Sequence, residues 1–303
     1  MTPAVFIDGA AGTTGLEIRE RLAGRKDLSV VVLDEARRKD ADARAEALND
    51  ADLVILCLPD AAAREAVALI RNDRTRVIDA SSAHRVADGW TYGFPELGFD
   101  VAAASRVSNP GCYPTGFLAL VAPLVRAGLI PADWPLTVNA VSGYSGGGKA
   151  LIERFEREPD LAFRSYALSL GHKHVPEMRR HAGLVHPPLF APSVARAYRG
   201  MIVEVPLPVA AIPGRPSPTA IHDALAAFFD DRPLVRVHQG APDELLLRAD
   251  ATPSDRLDLH VCSGEGQVRL IALLDNLGKG AGGAAVQNLN LMAGLDPLAG
   301  LIL

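Results

Sequence analysis

A cysteine follows a Pro-Gly turn in Ser108-Asn109-Pro110-Gly111-Cys112-Tyr113-Pro114-Thr115-Gly116, and an apolar run from Phe117 to Val125 continues from it. The run reads as a helix, which puts the thiol at its N-terminus. There the positive end of the macrodipole lowers a thiol's pKa and favours thiolate. The unpaired N–H groups of the first turn can also stabilise an oxyanion on whatever the sulfur attacks. Cys112 is therefore a candidate nucleophile. Cys57 and Cys262 lie in apolar, strand-like segments, Leu53–Leu58 and Leu257–Cys262, and are expected to be small core residues. Three cysteines without pairwise metal spacing build neither a disulfide framework nor a zinc site.

Thiol chemistry coupled to hydride transfer needs an acid/base near neutral pKa, and Gly171-His172-Lys173-His174-Val175-Pro176-Glu177 offers two imidazoles. His-x-His also suits a metal, but no third ligand at a suitable spacing accompanies it, so no metal is expected. Pro176 interrupts a regular extended segment, so only one of the two histidines is expected to face Cys112. Ser142-Gly143-Tyr144-Ser145-Gly146-Gly147-Gly148-Lys149 combines backbone N–H groups, hydroxyls and a cation, a composition that suits a phosphoryl or carboxylate group. It is no Walker A loop, because Ala150 follows Lys149.

The elements that must position these groups begin with Ala4-Val5-Phe6-Ile7, a first strand ended by Asp8. Gly9-Ala10-Ala11-Gly12-Thr13-Thr14-Gly15 follows, then a helical stretch to Leu22. Glycines between a first strand and a first helix let the backbone turn tightly and approach a pyrophosphate, which then faces the helix N-terminus. Leu28–Leu33, Leu53–Leu58 and Val77–Ile78 read as further strands, with a helix over Ala61–Ile70. Alternation of this kind predicts βαβ units and a parallel sheet. At the second strand's end, Asp34 would favour a free ribose 2′-OH and Arg37-Arg38-Lys39 a 2′-phosphate. The three cations favour NADP.

After Cys112 the pattern changes. The helix Pro114–Ala127 leads to a strand at Leu136–Ser142, and a charged helical segment covers Leu151–Arg157. Gly200–Pro206, Leu234–Val237 and a long run Leu257–Leu274 read as strands, interrupted by a helix over His222–Phe229. This predicts a second domain with an open mixed sheet. Gly280–Gly294 carries Val286, Leu289 and Met292 at helical spacing.

The 303 residues bound one large domain or two ordinary ones. A net charge of −5 with no basic stripe argues against nucleic acid as a partner. No uncharged apolar span reaches membrane length and no signal peptide opens the chain, so no membrane partner and cytoplasmic residence are expected.

Together these motifs resemble the N-acetyl-γ-glutamyl-phosphate reductases of arginine biosynthesis, in their shorter form, which are related to aspartate-semialdehyde dehydrogenase. The resemblance rests on Gly9–Gly15, Asp79-Ala-Ser-Ser-Ala-His84-Arg85, Tyr92-Gly-Phe-Pro-Glu96, Asn109–Thr115, Ser142-Gly143 with Ser145-Gly146, and His172–Glu177. Asp275-Asn276-Leu277-Gly278-Lys279-Gly280 with Ala285-Val286-Gln287-Asn288 completes it. It implies an α/β chain with a Rossmann-type dinucleotide-binding domain (1–111 and 280–303) and an α+β catalytic and dimerisation domain with a mixed sheet (112–279). It implies NADPH-dependent reduction of a small acyl phosphate through a thioester on Cys112, with His172 or His174 moving the proton and Glu177 orienting it. Gly9, Ala11, Gly12, Thr13, Thr14, Gly15, Arg37, Arg38, Ser81, Ser82, Asn276 and Lys279 would hold the cofactor. Asn109, Arg85, Ser142, Gly143, Ser145 and Lys149 would hold the substrate. It further implies a homo-oligomer, dimer or tetramer, with an exposed apolar sheet face in the second domain, and a C-terminal helix that returns to the first domain and closes over the cofactor.

Two other readings fit parts of the chain. A carrier-protein-linked aminoadipyl-phosphate reductase of lysine biosynthesis differs by one methylene in its substrate, worth about 1–3 kcal/mol in a pocket. Its acidic carrier should meet a basic rim, which this acidic chain lacks near the motifs. A non-catalytic dinucleotide sensor would have no use for a helix-capping cysteine together with paired histidines and an anion loop.

Overall fold

The computed structural model describes residues 2–303. Its first stretch alternates β1 (Ala4–Asp8), α1 (Thr13–Leu22), β2 (Ser29–Val31), α2 (Ala41–Asp50), β3 (Leu53–Leu56), α3 (Asp60–Leu69), β4 (Arg76–Asp79), β5 (Thr91–Tyr92) and β6 (Arg106–Ser108). Then come α4 (Cys112–Arg126), β7 (Thr137–Gly143), α5 (Gly148–Arg157), β8 (Phe163–Ser165), α6 (Val175–Ala182), β9 (Leu189–Ala195), β10 (Met201–Leu207), α7 (Pro218–Phe229), β11 (Val235–Val237), β12 (Leu257–Gly264), β13 (Gln267–Leu274) and α8 (Gly283–Ala293).

Two compact units emerge: the chain up to Pro110 with Ala281–Ile302, and Gly111–Gly280. In the first, six parallel strands lie in the order β2-β1-β3-β4-β6-β5. Parallel neighbours need crossover connections, and α1, α2 and α3 supply them. Helices on both faces explain why β1 and β3 are unbroken apolar runs. On one face Val5, Ile7, Ile55 and Ile78 pack with Ile18 of α1 and Val286, Leu289 and Met292 of α8. On the other, Phe6, Val54, Leu56 and Val77 pack with Leu48 of α2 and Ala63 and Ala66 of α3.

The second unit holds a seven-stranded sheet ordered β11-β12-β13-β10-β7-β9-β8. The β11/β12 and β7/β9 pairs are parallel and the rest antiparallel, so the sheet is mixed. Inward residues such as Val138, Val203, Val205 and Leu270 are buried, and α4 and α7 pack against the sheet. Alternation turns Ile202, Glu204, Arg269 and Leu273 to the opposite face, where Arg269 and Glu204 form a two-pronged ion pair at 2.8 Å. That face is mixed, not the apolar one expected, because a charged pair sits on its central strands.

Several elements depart from the sequence reading. The run Leu257–Leu274 is a hairpin, not one segment: Glu265-Gly266 makes the turn, with Gly266 at φ 68°. The expected strand Leu28–Leu33 shortens to the edge strand β2. α2 was unanticipated, although Asp40 caps it by accepting from Ala43 N at 2.8 Å. The stretch Ser142–Lys149 is not an open loop: β7 runs through Gly143, a 3-10 turn spans Tyr144–Gly147, and α5 starts at Gly148.

Candidate active site

In the Gly111–Gly280 unit, Cys112 is the first residue of α4, with Gly111 as N-cap in extended conformation. No side chain caps this end, so Gly111 presents its backbone instead, and its N–H donates to Glu177 Oε2 at 3.2 Å. Glu177 lies in the first turn of α6 and is 1% exposed. Its Oε1 stands 3.9 Å from Nε2 of His174, the N-cap of the same helix. Glu177 thus joins the turn carrying the thiol to one of the two imidazoles.

His172 is fixed differently. Its Nδ1 accepts from His174 N at 3.1 Å, which places the proton of a neutral ring on Nε2. That Nε2 lies 3.4 Å from the Tyr166 hydroxyl. Tyr166 donates to Tyr113 Oη at 3.4 Å, and Tyr113 donates to the Ser193 carbonyl at 2.9 Å. The rings of His172 and His174 lie 6.2 and 5.9 Å from that of Tyr113, the neighbour of Cys112 in α4. Both imidazoles therefore gather at the tyrosine that follows Cys112. Burial, then Tyr166 and Cys112, push the Tyr113 phenol far above its usual value. Burial pushes Tyr166 up to about 12; its hydrogen bond with Tyr113 works against this, and negative charge at Cys112 adds to it. Tyr166 was missed in the sequence. An aromatic six residues before His172 was the only signal it offered.

The Ser142–Lys149 segment sits in the same unit, but its backbone donors are engaged. The N–H groups of Gly143, Tyr144 and Ser145 donate to the carbonyls of Gly200, Ala197 and Tyr198 at 2.8, 2.8 and 3.1 Å. Ser142 Oγ donates to Gly143 O at 2.9 Å. The expected cradle of N–H groups is thus spent on chain packing at these three residues, and Lys149 is exposed on α5. Asn276 donates from Nδ2 to Ser145 Oγ at 2.9 Å and accepts from Gly200 N at 2.9 Å. Its amide thus ties this segment together. Lys279 is 2% exposed.

The glycine turn lies in the other unit. Gly9 has φ 85°, and a side chain there would place Cβ 2.3 Å from the Cys57 carbonyl. Gly12 caps α1, whose first turn has neither an acidic residue nor a side-chain cap, so its N–H groups suit an anion. A cavity of about 690 Å³ opens beside it, lined by Gly9, Ala11, Arg19, Asp34, Arg38 and Arg44 among others. These residues fit a dinucleotide. Thr13, Thr14 and Gly15 form the first turn of α1. Arg38 pairs with Glu35, and Arg37 turns to Glu46 at 3.2 Å and is absent from the cavity lining. Arg44, unforeseen because α2 was, replaces it there and holds Asp8 at 2.7 Å. The serines of the Asp79–Arg85 motif donate to carboxylates: Ser81 to Asp79 at 2.8 Å and Ser82 to Asp60 at 2.7 Å. Arg85 donates to the Asn109 carbonyl at 3.0 Å. The Asn109 side chain donates to Ala281 O at 2.9 Å and accepts from Asn288 at 3.0 Å. Among the described residues no three His, Cys, Asp or Glu side chains converge as a metal site.

Residues 4–105 match the family model "Semialdehyde dehydrogenase, NAD binding domain", and residues 112–276 match "Semialdehyde dehydrogenase, dimerisation domain". An N-acetyl-gamma-glutamyl-phosphate reductase of Trichormus variabilis is 48% identical over 99% of both chains. N-acetyl-gamma-glutamyl-phosphate reductase 2 of Pseudomonas putida is 52% identical over 97% of both. The chain belongs to the N-acetyl-gamma-glutamyl-phosphate reductase family. Solved relatives of that family's fold include aspartate semialdehyde dehydrogenase II from Vibrio cholerae, with a TM-score of 0.72 and 16% identity, which covers 96% of this chain and 98% of its own. An aspartate semialdehyde dehydrogenase from Candida albicans, solved with NADP, has a TM-score of 0.67 at 13% identity over 96% and 98%. At such identities the likeness to these solved structures shows the fold, a Rossmann-type sheet and a mixed-sheet unit. No helix among the described residues is long and apolar enough to cross a membrane.

Proposed function

We propose that the protein reduces N-acetyl-L-glutamyl 5-phosphate to N-acetyl-L-glutamate 5-semialdehyde and phosphate with NADPH, a step of arginine biosynthesis. The observation that carries this reading is Cys112 at the open N-terminus of α4, tied through Gly111 and Glu177 to His174. Relatives that match nearly the whole chain at about half identity bear that reductase name.

The Cys112 thiolate attacks the acyl carbon, and the positive pole of α4 offsets charge on the tetrahedral oxygen. Phosphate leaves as that intermediate collapses to a thioester. NADPH, when bound by the Gly9–Gly15 turn, supplies the hydride that takes the thioester to the aldehyde level. An imidazole of the His172/His174 pair protonates the thiohemiacetal oxygen and takes the proton back as the C–S bond breaks. Glu177 orients His174 from 3.9 Å, and Tyr166 holds the Nε2 side of His172. In this reading Ser142, Gly143, Ser145 and Lys149, with Arg85 and Asn109, serve the substrate. Arg38 joins Arg44 and Lys39 at the cofactor's 2′-phosphate. Self-association through residues 112–276 and cytoplasmic residence belong to the same proposal.

The test is NADP reduction by purified protein supplied with N-acetylglutamate semialdehyde and phosphate. Phosphate-dependent NADPH formation, lost in Cys112→Ser, supports the reading. NADPH formation only from the carrier-linked aminoadipate semialdehyde transfers it to lysine biosynthesis. Binding of NADPH with neither activity refutes the enzyme reading.

A further inference from the structure

We infer that Asp275, in the Gly111–Gly280 unit, is a positioning residue that sets the back wall of Cys112 and aligns it with the Ser142–Ser145 segment. The inference rests on the thiol chemistry proposed above. Asp275 follows the end of β13 directly and is 4% exposed. Both of its carboxylate oxygens are engaged. Oδ1 accepts from Leu277 N at 2.9 Å; Oδ2 accepts from Arg199 Nη1 at 2.8 Å and from Ser254 N at 3.3 Å. Its own carbonyl accepts from Gly280 N at 2.9 Å, five residues on, which closes the wide helical turn Gly278–Gly282. Such turns concentrate at functional positions.

Two consequences reach the proposed site. Gly280 lies against the thiol-bearing residue: a Cβ there would stand 2.9 Å from Cys112 Cβ and 3.1 Å from the Asp275 carbonyl. On the other side Asn276, fixed by its neighbour, grips Ser145 Oγ and Gly200 N. Gly143 in turn is pressed on the segment that carries Arg199, whose Cα a Cβ at 143 would approach to 2.9 Å. Asp275 therefore holds the wall behind the sulfur with its carbonyl, while its carboxylate, by fixing Leu277 N and Arg199, orders the turn that starts that wall and the segment placed at the substrate. Nothing in this arrangement exposes Asp275 to substrate, so its effect is on alignment. A misplacement of about 1 Å far from the reacting atoms can cost about 10²-fold in rate.

The experiment compares full-length wild type with Asp275→Asn, Gly280→Ala and the double variant Asp275→Leu/Arg199→Met. It reads kcat and KM for the acyl phosphate, the pH profile of iodoacetamide alkylation at Cys112, and the melting temperature. Asp275→Asn removes the acceptor facing Arg199 and is expected to lower kcat by about 10- to 100-fold, with KM changed less than about threefold, and to shift the alkylation profile. Gly280→Ala keeps the ion pair and is expected to give the same split. If Asp275→Asn fails to fold, the double variant decides the matter. The double variant removes both buried charges together, which restores folding stability in many proteins. It lacks the acceptors for Leu277 and Ser254, so its kcat is expected to stay low. Recovery of wild-type kcat in the double variant overturns the inference, as does an unchanged kcat and alkylation profile in Asp275→Asn. Should the wild type show no acyl-phosphate turnover, the proposed function fails, and the alkylation profile still decides the role of Asp275.

Discussion

Gly9 and Gly12 stand three residues apart in one turn, and the structure assigns them opposite consequences. An alanine at position 9 would adopt φ 85° and put its Cβ 2.3 Å from the Cys57 carbonyl. That carbonyl cannot retreat, because Cys57 N donates to Asp8 O at 2.8 Å and holds the strand end in place. The left-handed backbone costs about 1–2 kcal/mol and the overlap about 1–3 kcal/mol, a total of roughly 2–5 kcal/mol. That lowers the melting temperature by about 4 °C or more. At Gly12 φ is −77°, and the nearest atom to an added Cβ is Gly9 O at 3.4 Å. Gly12→Ala should therefore melt within about 2 °C of wild type. Its methyl group, however, stands where the backbone must approach a pyrophosphate, and NADPH affinity should fall by about tenfold or more, at least 1.4 kcal/mol. Thermal melts and fluorescence titration with NADPH separate the two effects. A Gly9→Ala variant as stable as wild type, or a Gly12→Ala variant with undiminished NADPH affinity, would refute the reasoning.

Thiol labelling gives a second expectation. Burial, followed by the charges of Asp79 and Asp8, pushes the Cys57 thiol up to about 12, and burial also raises Cys262. At pH 8 iodoacetamide should modify one thiol per chain rapidly, and Cys112→Ser should abolish that phase, as read by peptide mass spectrometry. Tyr166 gives a third. Its phenol ionises near 10 when unfolded and near 12 when folded, so the stability it contributes is present below pH 10 and is lost as pH rises towards 12. Urea midpoints between pH 9 and 11 should fall less steeply in Tyr166→Phe than in wild type; equal slopes would contradict the burial argument. His260 gives the acid counterpart. Burial, then the stacked His238 ring 4.4 Å away, lowers its pKa, so stability is intact above about 6.5 and declines as pH falls further. His260→Leu should flatten the loss between pH 6.5 and 5.

Features written in consecutive residues were legible in the sequence. The first strand, the glycine turn and α1 are one local sequence, and α4 with its cysteine is another. Both stand where the pattern put them, because turn chemistry and helical periodicity act over a few residues. What escaped was set by pairing between distant segments. The donors of Gly143, Tyr144 and Ser145 looked available until residues 197–200, ordered ahead of β10, folded against them. Tyr166 meets His172 because both lie against β9: Tyr166 N donates to the Pro192 carbonyl, and the His172 ring packs edge-on to Phe190. The run Leu257–Leu274 concealed a hairpin, because Glu265-Gly266 is a sparse turn signal between two apolar strands. α2 carried a readable signal, the Asp40 cap before an Ala-rich stretch, but the meeting of Arg44 with Asp8, 36 residues away, is set by packing of that helix on β1.

The measurement that bears most directly on the central claim is a search for the acyl-enzyme. Protein is mixed with N-acetylglutamyl phosphate in the absence of NADPH, quenched in acid, and digested for mass spectrometry. The account predicts one N-acetylglutamyl group on the peptide that carries Cys112, released by hydroxylamine and absent in Cys112→Ser. An unmodified Cys112 peptide from a preparation that turns over the same substrate with NADPH would contradict it.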